Sequence, residues 1–244
     1  MILDVANLTK KFGSKAAVDG ISFTADPGER IALVGRNGAG KTTLLRMLAT
    51  YLPPTSGAVV ANGFDLFLQA GAIRTITGYL PEGAPIDPEL RVAEYLRFRG
   101  HLRRMPRPYL RARMHEVVDF CELAPLRSSR IGTLSYGQRQ RVALADAILH
   151  EPDILLFDDP LAGCDPVQAE KFTAMMSAPA VTDGRLLLFS AHSADLVRRI
   201  ATRILFLDRG RIVRDVKAGP ELAGRSLSEL FDVWTAASAK EAHA

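Results

Sequence analysis

Gly35-Arg36-Asn37-Gly38-Ala39-Gly40-Lys41-Thr42, with Thr43 behind it, decides the fold of this 244-residue chain. It fits the G-x-x-x-x-G-K-[ST] pattern of a phosphate-binding loop. An apolar run at 30–34 precedes it and a helical pattern at 41–50 follows it. Glycines let the backbone turn its N–H groups inward around a phosphate, and the helix offers its positive N-terminus to the same anion. Lys41 is expected to reach the outer phosphates of a nucleoside triphosphate, and the Thr42 hydroxyl to ligate magnesium.

Such a loop needs a carboxylate at the end of a neighbouring apolar strand. The run Ile154-Leu155-Leu156-Phe157 supplies that strand and ends in Asp158-Asp159. Asp158 is the expected magnesium-side carboxylate; Asp159 is placed to orient or deprotonate an attacking water.

Further apolar or β-branched runs fall at 2–6, 21–25, 58–61, 186–189, 204–207 and 211–213, and helical patterns at 167–177 and 194–201. Alternating strands and helices predict an open sheet covered by helices. Between 91 and 150 the alternation stops, and helices over 91–102, 109–123 and 136–150 follow one another. This predicts an all-helical insertion at about 88–150 within one domain spanning 1–244. From Glu221 the chain reads as an amphipathic helix with an Ala-rich end, forming a helical tail at about 220–244.

The whole-chain figures agree with an ordinary globular protein. Apolar residues make up 48% and charged residues 24%, which excludes a disordered or collagenous chain. A net charge of +4 permits contact with anionic lipid or nucleic acid without arguing for either, and no nucleic acid is expected. Two cysteines, Cys121 and Cys164, without a CxxC pairing, suit a reducing compartment. No apolar run approaches the ~20 residues of a membrane span, and the N-terminus lacks a signal-peptide pattern, so a cytosolic placement is expected.

Leu134-Ser135-Tyr136-Gly137-Gln138 distinguishes among the many phosphate-loop families. It resembles the LSGGQ signature of ATP-binding-cassette (ABC) ATPases, with Tyr136 at a position that varies there. That resemblance covers about Met1 to Val216. It implies an α/β fold: a P-loop NTPase sheet core with an antiparallel β subdomain and an all-helical insertion subdomain. It further implies ATP and Mg2+ as ligands, and hydrolysis coupled to transport.

Residue by residue, the resemblance gives Phe12 as the aromatic group stacking on adenine and Val18 as a nearby apolar contact. Ser135, Tyr136, Gly137 and Gln138 would meet the nucleotide of a facing subunit, and Asp165 would lie in the loop crossing that interface. His192 would contact the γ-phosphate. Glu82 stands where glutamine is usual and would ligate magnesium, and Asp159 stands one methylene short of the usual catalytic glutamate. The implied partners are a second ATP-binding subunit, as homodimer or heterodimer, and an integral membrane permease on whose cytoplasmic face the chain sits. The loop ending in Glu82 and the stretch Arg225–Phe231 resemble exporters. Alternatives are an ABC ATPase without a permease, or a low-turnover ATP switch.

Arg97, Arg99, Arg103, Arg104, Arg107, Arg111 and Arg113 crowd the helical insertion. A solvated face is the first expectation, and attraction to an anionic membrane surface or to acidic loops of a partner the second. His101, His115, His150 and His243 are expected at the surface.

Overall fold

The computed structural model describes residues 1–219 and residue 229. Its strands are β1 (Leu3–Phe12), β2 (Lys15–Ala25), β3 (Arg30–Val34), β4 (Ser56–Ala61), β5 (Phe64–Asp65), β6 (Thr77–Leu80), β7 (Ile154–Phe157), β8 (Leu186–Ser190), β9 (Arg203–Asp208) and β10 (Arg211–Lys217). Its α-helices are α1 (Lys41–Leu48), α2 (Ala70–Ile76), α3 (Val92–Leu102), α4 (Arg107–Phe120), α5 (Tyr136–Ile148), α6 (Pro166–Ser177), α7 (Pro179–Thr182) and α8 (Ala194–Ile200).

Two sheets carry the molecule. One is antiparallel, in the order β2-β1-β4-β5; the other has six strands in the order β10-β9-β3-β8-β7-β6. Within the second, the five strands β9, β3, β8, β7 and β6 run parallel, and β10 is an antiparallel edge. The central strands are buried throughout apart from Arg30 at the start of β3, as a sheet covered on both faces requires. Alternate residues serve different cores. Ala32, Val34, Leu155 and Phe157 join the helical side, whereas Ile31, Leu33, Ile154 and Leu156 face α1 and the antiparallel sheet. Each fully buried Leu or Phe contributes about 2 kcal/mol against exposure, so the sheet is the rigid member on which the loops are mounted.

The helical insertion forms as expected through α3, α4 and α5. The structure adds β6, α2 and β5, which the pattern of residues did not announce. β6 is short and holds Gly78, whose backbone passes so close to α5 that a Cβ would lie 2.1 Å from the Ala147 carbonyl oxygen. Parallel pairing with β7, not propensity, makes it a strand. The tail from Glu221 and the stretch Arg225–Phe231 lie outside the described residues, Glu229 apart.

Two surface expectations need correction. Arg99 and Arg103 turn inward to the buried carboxylate of Asp146, at 3.0 and 2.6 Å, and Tyr95 adds its hydroxyl at 3.1 Å. Arg113 bonds the Leu149 and Ile148 carbonyls. These three arginines pin α3 and α4 onto α5. A buried acid is tolerated only when paired, and Asp146 needs both guanidinium groups. His150 is likewise half-buried, its Nε2 3.1 Å from the Thr77 carbonyl oxygen, and burial pulls its pKa down to about 4. His101 and His115 are exposed as expected, and His243 lies outside the described residues.

Candidate nucleotide site

Parallel pairing brings the catalytic candidates to one edge of the sheet. Leu33 of β3 pairs with Ser190 of β8, Phe157 of β7 with Phe189, and Leu80 of β6 with Phe157. The residues that follow these strands therefore emerge side by side: Gly35 after β3, Asp158 after β7, His192 after β8 and Glu82 after β6. Asp158, His192 and Glu82 line a cleft of about 900 Å3 together with loop residues 37–43, Phe12, Lys15 and Ala17; Gly35 and Arg36 do not reach its wall.

The phosphate loop is built by two close backbone approaches. Gly35 passes Leu207 so tightly that a Cβ would sit 2.3 Å from its carbonyl oxygen. Gly40 has φ of 106° and faces the Ala17 carbonyl, where a Cβ would come to 2.4 Å. Only glycine satisfies both demands at Gly40. The loop leads straight into α1, so the first free N–H groups of that helix open into the cleft. Lys41 is buried, its Nζ donating to the Gly35 carbonyl at 2.7 Å and to that of Arg36 at 3.2 Å. Burial lowers its pKa, while Asp159, Asp158 and Glu82 hold the proton on.

Asp158 is almost wholly buried. Its Oδ1 accepts from the Thr42 hydroxyl at 3.0 Å and the Ser190 hydroxyl at 2.9 Å. Its Oδ2 is buried without a hydrogen-bond partner. An orphaned carboxylate oxygen on the cleft wall, beside a threonine hydroxyl and with Glu82 across the cleft, fits a divalent cation that completes its shell with phosphates and water.

Asp159 adopts φ of 40°, a conformation few side chains accept and Asp tolerates better than most. Its N–H donates to Ser190 Oγ at 2.7 Å, and its Oδ2 lies 3.8 Å from His192 Nε2. Burial raises its pKa; His192 and Lys41 counter the rise and Asp158 adds to it. Ser190 thus ties the Asp158 carboxylate and the Asp159 backbone to β8. The residue patterns missed it, although its place at the end of an apolar strand two residues before His192 was a usable signal.

Phe12 is 54% exposed on the cleft wall, with the Lys10 ammonium 5.3 Å from its ring centroid. Val18 does not share that wall. It is fully buried in the core, because alternation along β2 turns it inward, and the half-buried Ala17 lines the cleft instead.

Ser135 caps α5, accepting from the Gln138 N–H at 3.3 Å while the Gln138 side chain accepts from the Ser135 N–H at 2.9 Å. The Tyr136 hydroxyl accepts from Gln140 Nε2 at 2.8 Å. At Gly137 a Cβ would lie 2.2 Å from Gln168 Oε1, so no larger residue fits there without displacing that side chain. Asp165 caps α6 through the Gln168 N–H at 2.9 Å. None of Ser135, Tyr136, Gly137, Gln138 or Asp165 lines the cleft that holds Lys41. The structure therefore separates the residues into a phosphate-side group and a signature-side group.

Comparison with known proteins gives this arrangement its context. The chain is 32% identical over 216 residues to the Nod factor export ATP-binding protein I of Ralstonia nicotianae, covering 88% of this chain and 67% of that protein. It is 34% identical over 246 residues to the phosphonates import ATP-binding protein PhnC of Rhodopseudomonas palustris, covering 95% and 90%. Among solved structures, an ATP-binding subunit of an ABC transporter aligns with a TM-score of 0.86 at 27% identity, over 96% of this chain and all of that one. The cassette MJ0796, in a dimeric post-hydrolysis state bound to ADP and Pi, aligns with a TM-score of 0.80 at 25% identity, over 89% and 99%. The profile described as ABC transporter matches residues 18–162, more than half of the sequence, and with this site behind it the chain belongs to the ABC transporter family as an ATP-binding subunit.

Proposed function

We propose that the chain is one ABC domain over residues 1–244 which hydrolyses ATP on the cytoplasmic face of a membrane and drives a separate permease in the export direction. The observation that carries the reading is the split site. The cleft gathers the phosphate loop, Asp158, Asp159 and His192, while the signature group at the head of α5 lies outside it. A second copy facing the first head to tail would complete each site with the missing half. The dimeric state of the MJ0796 cassette supports that arrangement. No described helix is long and apolar enough to cross a membrane, so the pathway belongs to a partner.

The chain's own groups divide the work. Phe12 offers the face of its ring away from Lys10 to the adenine. Lys41, the loop N–H groups and the head of α1 hold the phosphates. Asp158 Oδ2, Thr42 and Glu82 would hold Mg2+, which when bound neutralises charge on the outer phosphates. Asp159 takes a proton from the attacking water as its oxygen bonds to the γ-phosphorus and the bond to the β-phosphate oxygen breaks. Burial makes Asp159 a stronger base than an exposed aspartate. His192 is positioned at the γ-phosphate end and steadies Asp159.

Relatives of similar identity carry export and import in their names, so identity does not decide direction. The loop after β6, ending in Glu82, carries the export reading. The test is phosphate release with and without the candidate permease in vesicles. Stimulation by the permease is expected; an unchanged rate would favour a cassette that works without one.

A further inference from the structure

Ser190 ends β8 after Leu186, Leu187, Leu188 and Phe189, all fully buried. It is itself 1% exposed, yet it borders the nucleotide cleft. A hydroxyl in such an apolar strand costs stability unless it is bonded. Pairing fixes its backbone: Ser190 lies opposite Leu33 of β3, and Ala191 donates its N–H to the Leu33 carbonyl at 3.1 Å. Ala191 is buried off the cleft, and His192 returns to its wall. One strand end therefore carries both Ser190 and His192.

The hydrogen bonds of Ser190 can run in one sense only. A backbone N–H must donate, so Ser190 Oγ accepts from Asp159 at 2.7 Å. The hydroxyl has a single proton and an ionised carboxylate only accepts, so that proton goes to Asp158 Oδ1 at 2.9 Å. The Thr42 hydroxyl donates to the same oxygen at 3.0 Å. With both donors on Oδ1, Asp158 Oδ2 is the oxygen left without a hydrogen-bond partner. The bond to its N–H meanwhile holds Asp159 at φ of 40°, with Oδ2 turned toward His192.

We propose that Ser190 is a positioning residue for ATP hydrolysis, which selects Asp158 Oδ2 for the cation and aims Asp159 at the attacking water. The inference rests on the reading of Asp158 as cation ligand and Asp159 as base. Ser190 acts through those two residues and not by contact with the reacting atoms. Removing its hydroxyl disturbs both at once. Asp158 is then free to turn about its side-chain bonds, and the Asp159 N–H loses its partner on β8.

The test compares Ser190→Ala and Ser190→Thr with wild type in the full chain. Affinity for a non-hydrolysable ATP analogue without a cation reports folding and the phosphate loop. Mn2+ bound alongside the analogue is followed by electron paramagnetic resonance, and turnover by steady-state phosphate release at saturating Mg2+. Ser190→Ala keeps the analogue affinity. It raises half-saturating Mn2+ about 10-fold, the loss of one hydrogen bond to a charged group. It lowers kcat on the order of 10²-fold with KM for ATP unchanged, as about 1 Å of misplacement does. Ser190→Thr keeps the hydroxyl and restores most of both. An alanine variant that matches wild type in Mn2+ binding and rate would overturn the proposal. Equal losses in the alanine and threonine variants would overturn it too, because fit and not the hydroxyl would then matter. Loss of only one of the two readouts would refute the claim that one hydroxyl serves both aspartates. Asp159→Asn, run beside them, separates this proposal from the reading beneath it. If that variant is inactive while Ser190→Ala is unimpaired, only the role of Ser190 fails; if it turns over like wild type, the base assignment fails and takes the proposal with it.

Discussion

Lengthening the carboxylate at Asp159 is expected to speed hydrolysis. Asp159 Oδ2 stands 3.8 Å from His192 Nε2, about 0.6 Å beyond hydrogen-bond range. One more methylene extends the reach by about 1.5 Å, more than the shortfall. A misplacement on the order of 1 Å costs about 10²-fold in rate, so Asp159→Glu recovers ~10-fold or more even with imperfect alignment. The backbone opposes part of the gain, because φ of 40° is harder for glutamate than for aspartate and costs about 1 kcal/mol of stability. Steady-state phosphate release from wild type, Asp159→Glu and Asp159→Asn is the assay. The asparagine variant keeps the shape without the base and loses most turnover. A slower glutamate variant would mean that the loop anchored by Ser190 already delivers Asp159 to the water. Equal rates for wild type and asparagine would refute the assignment of Asp159 as base.

Lys41→Ala abolishes tight binding of a non-hydrolysable ATP analogue in calorimetry, because the loop loses the buried cation set against the outer phosphates; unchanged affinity would remove the phosphate-loop assignment. Asp159→Asn sediments as a dimer with MgATP and as a monomer without it, if the signature of one copy completes the cleft of another; a monomer at tens of micromolar under both conditions would point to a different partner cassette. His150 makes stability depend on pH. The unfolded chain takes up its proton near 6.5 and the folded chain only near 4, so the unfolded state binds more protons in between. Stability therefore falls as pH drops from 6.5 toward 4, by roughly 3 kcal/mol at the lower end. Urea unfolding at several pH values should show His150→Gln losing that part of the slope, and identical slopes would contradict a neutral buried imidazole.

The phosphate loop, the paired aspartates and the signature were legible from residues alone because each is a contiguous run whose chemistry is local. Glycine at Gly40 answers a backbone demand, Asp158 ends an apolar strand, and Ser135 opens a helix. The same locality made the central strands readable, since β3, β7 and β8 are apolar throughout. What the residues could not state is which strand lies beside which. Only the order β3-β8-β7-β6 sets the phosphate loop, His192, Asp158 and Glu82 around one cleft, and only that order reveals Ser190 as the hydroxyl joining the Asp158 carboxylate to the Asp159 N–H. Val18 and His150 show the same limit at the scale of a single side chain. Exposure is decided by what packs against a residue, as is the fate of Arg99 and Arg103, which charge counting placed in solvent and Asp146 drew inside. Local chemistry is written in neighbouring residues, whereas pairing across the sheet and burial of charge depend on contacts between segments more than a hundred residues apart or a helix away, and those exist only once the chain has folded.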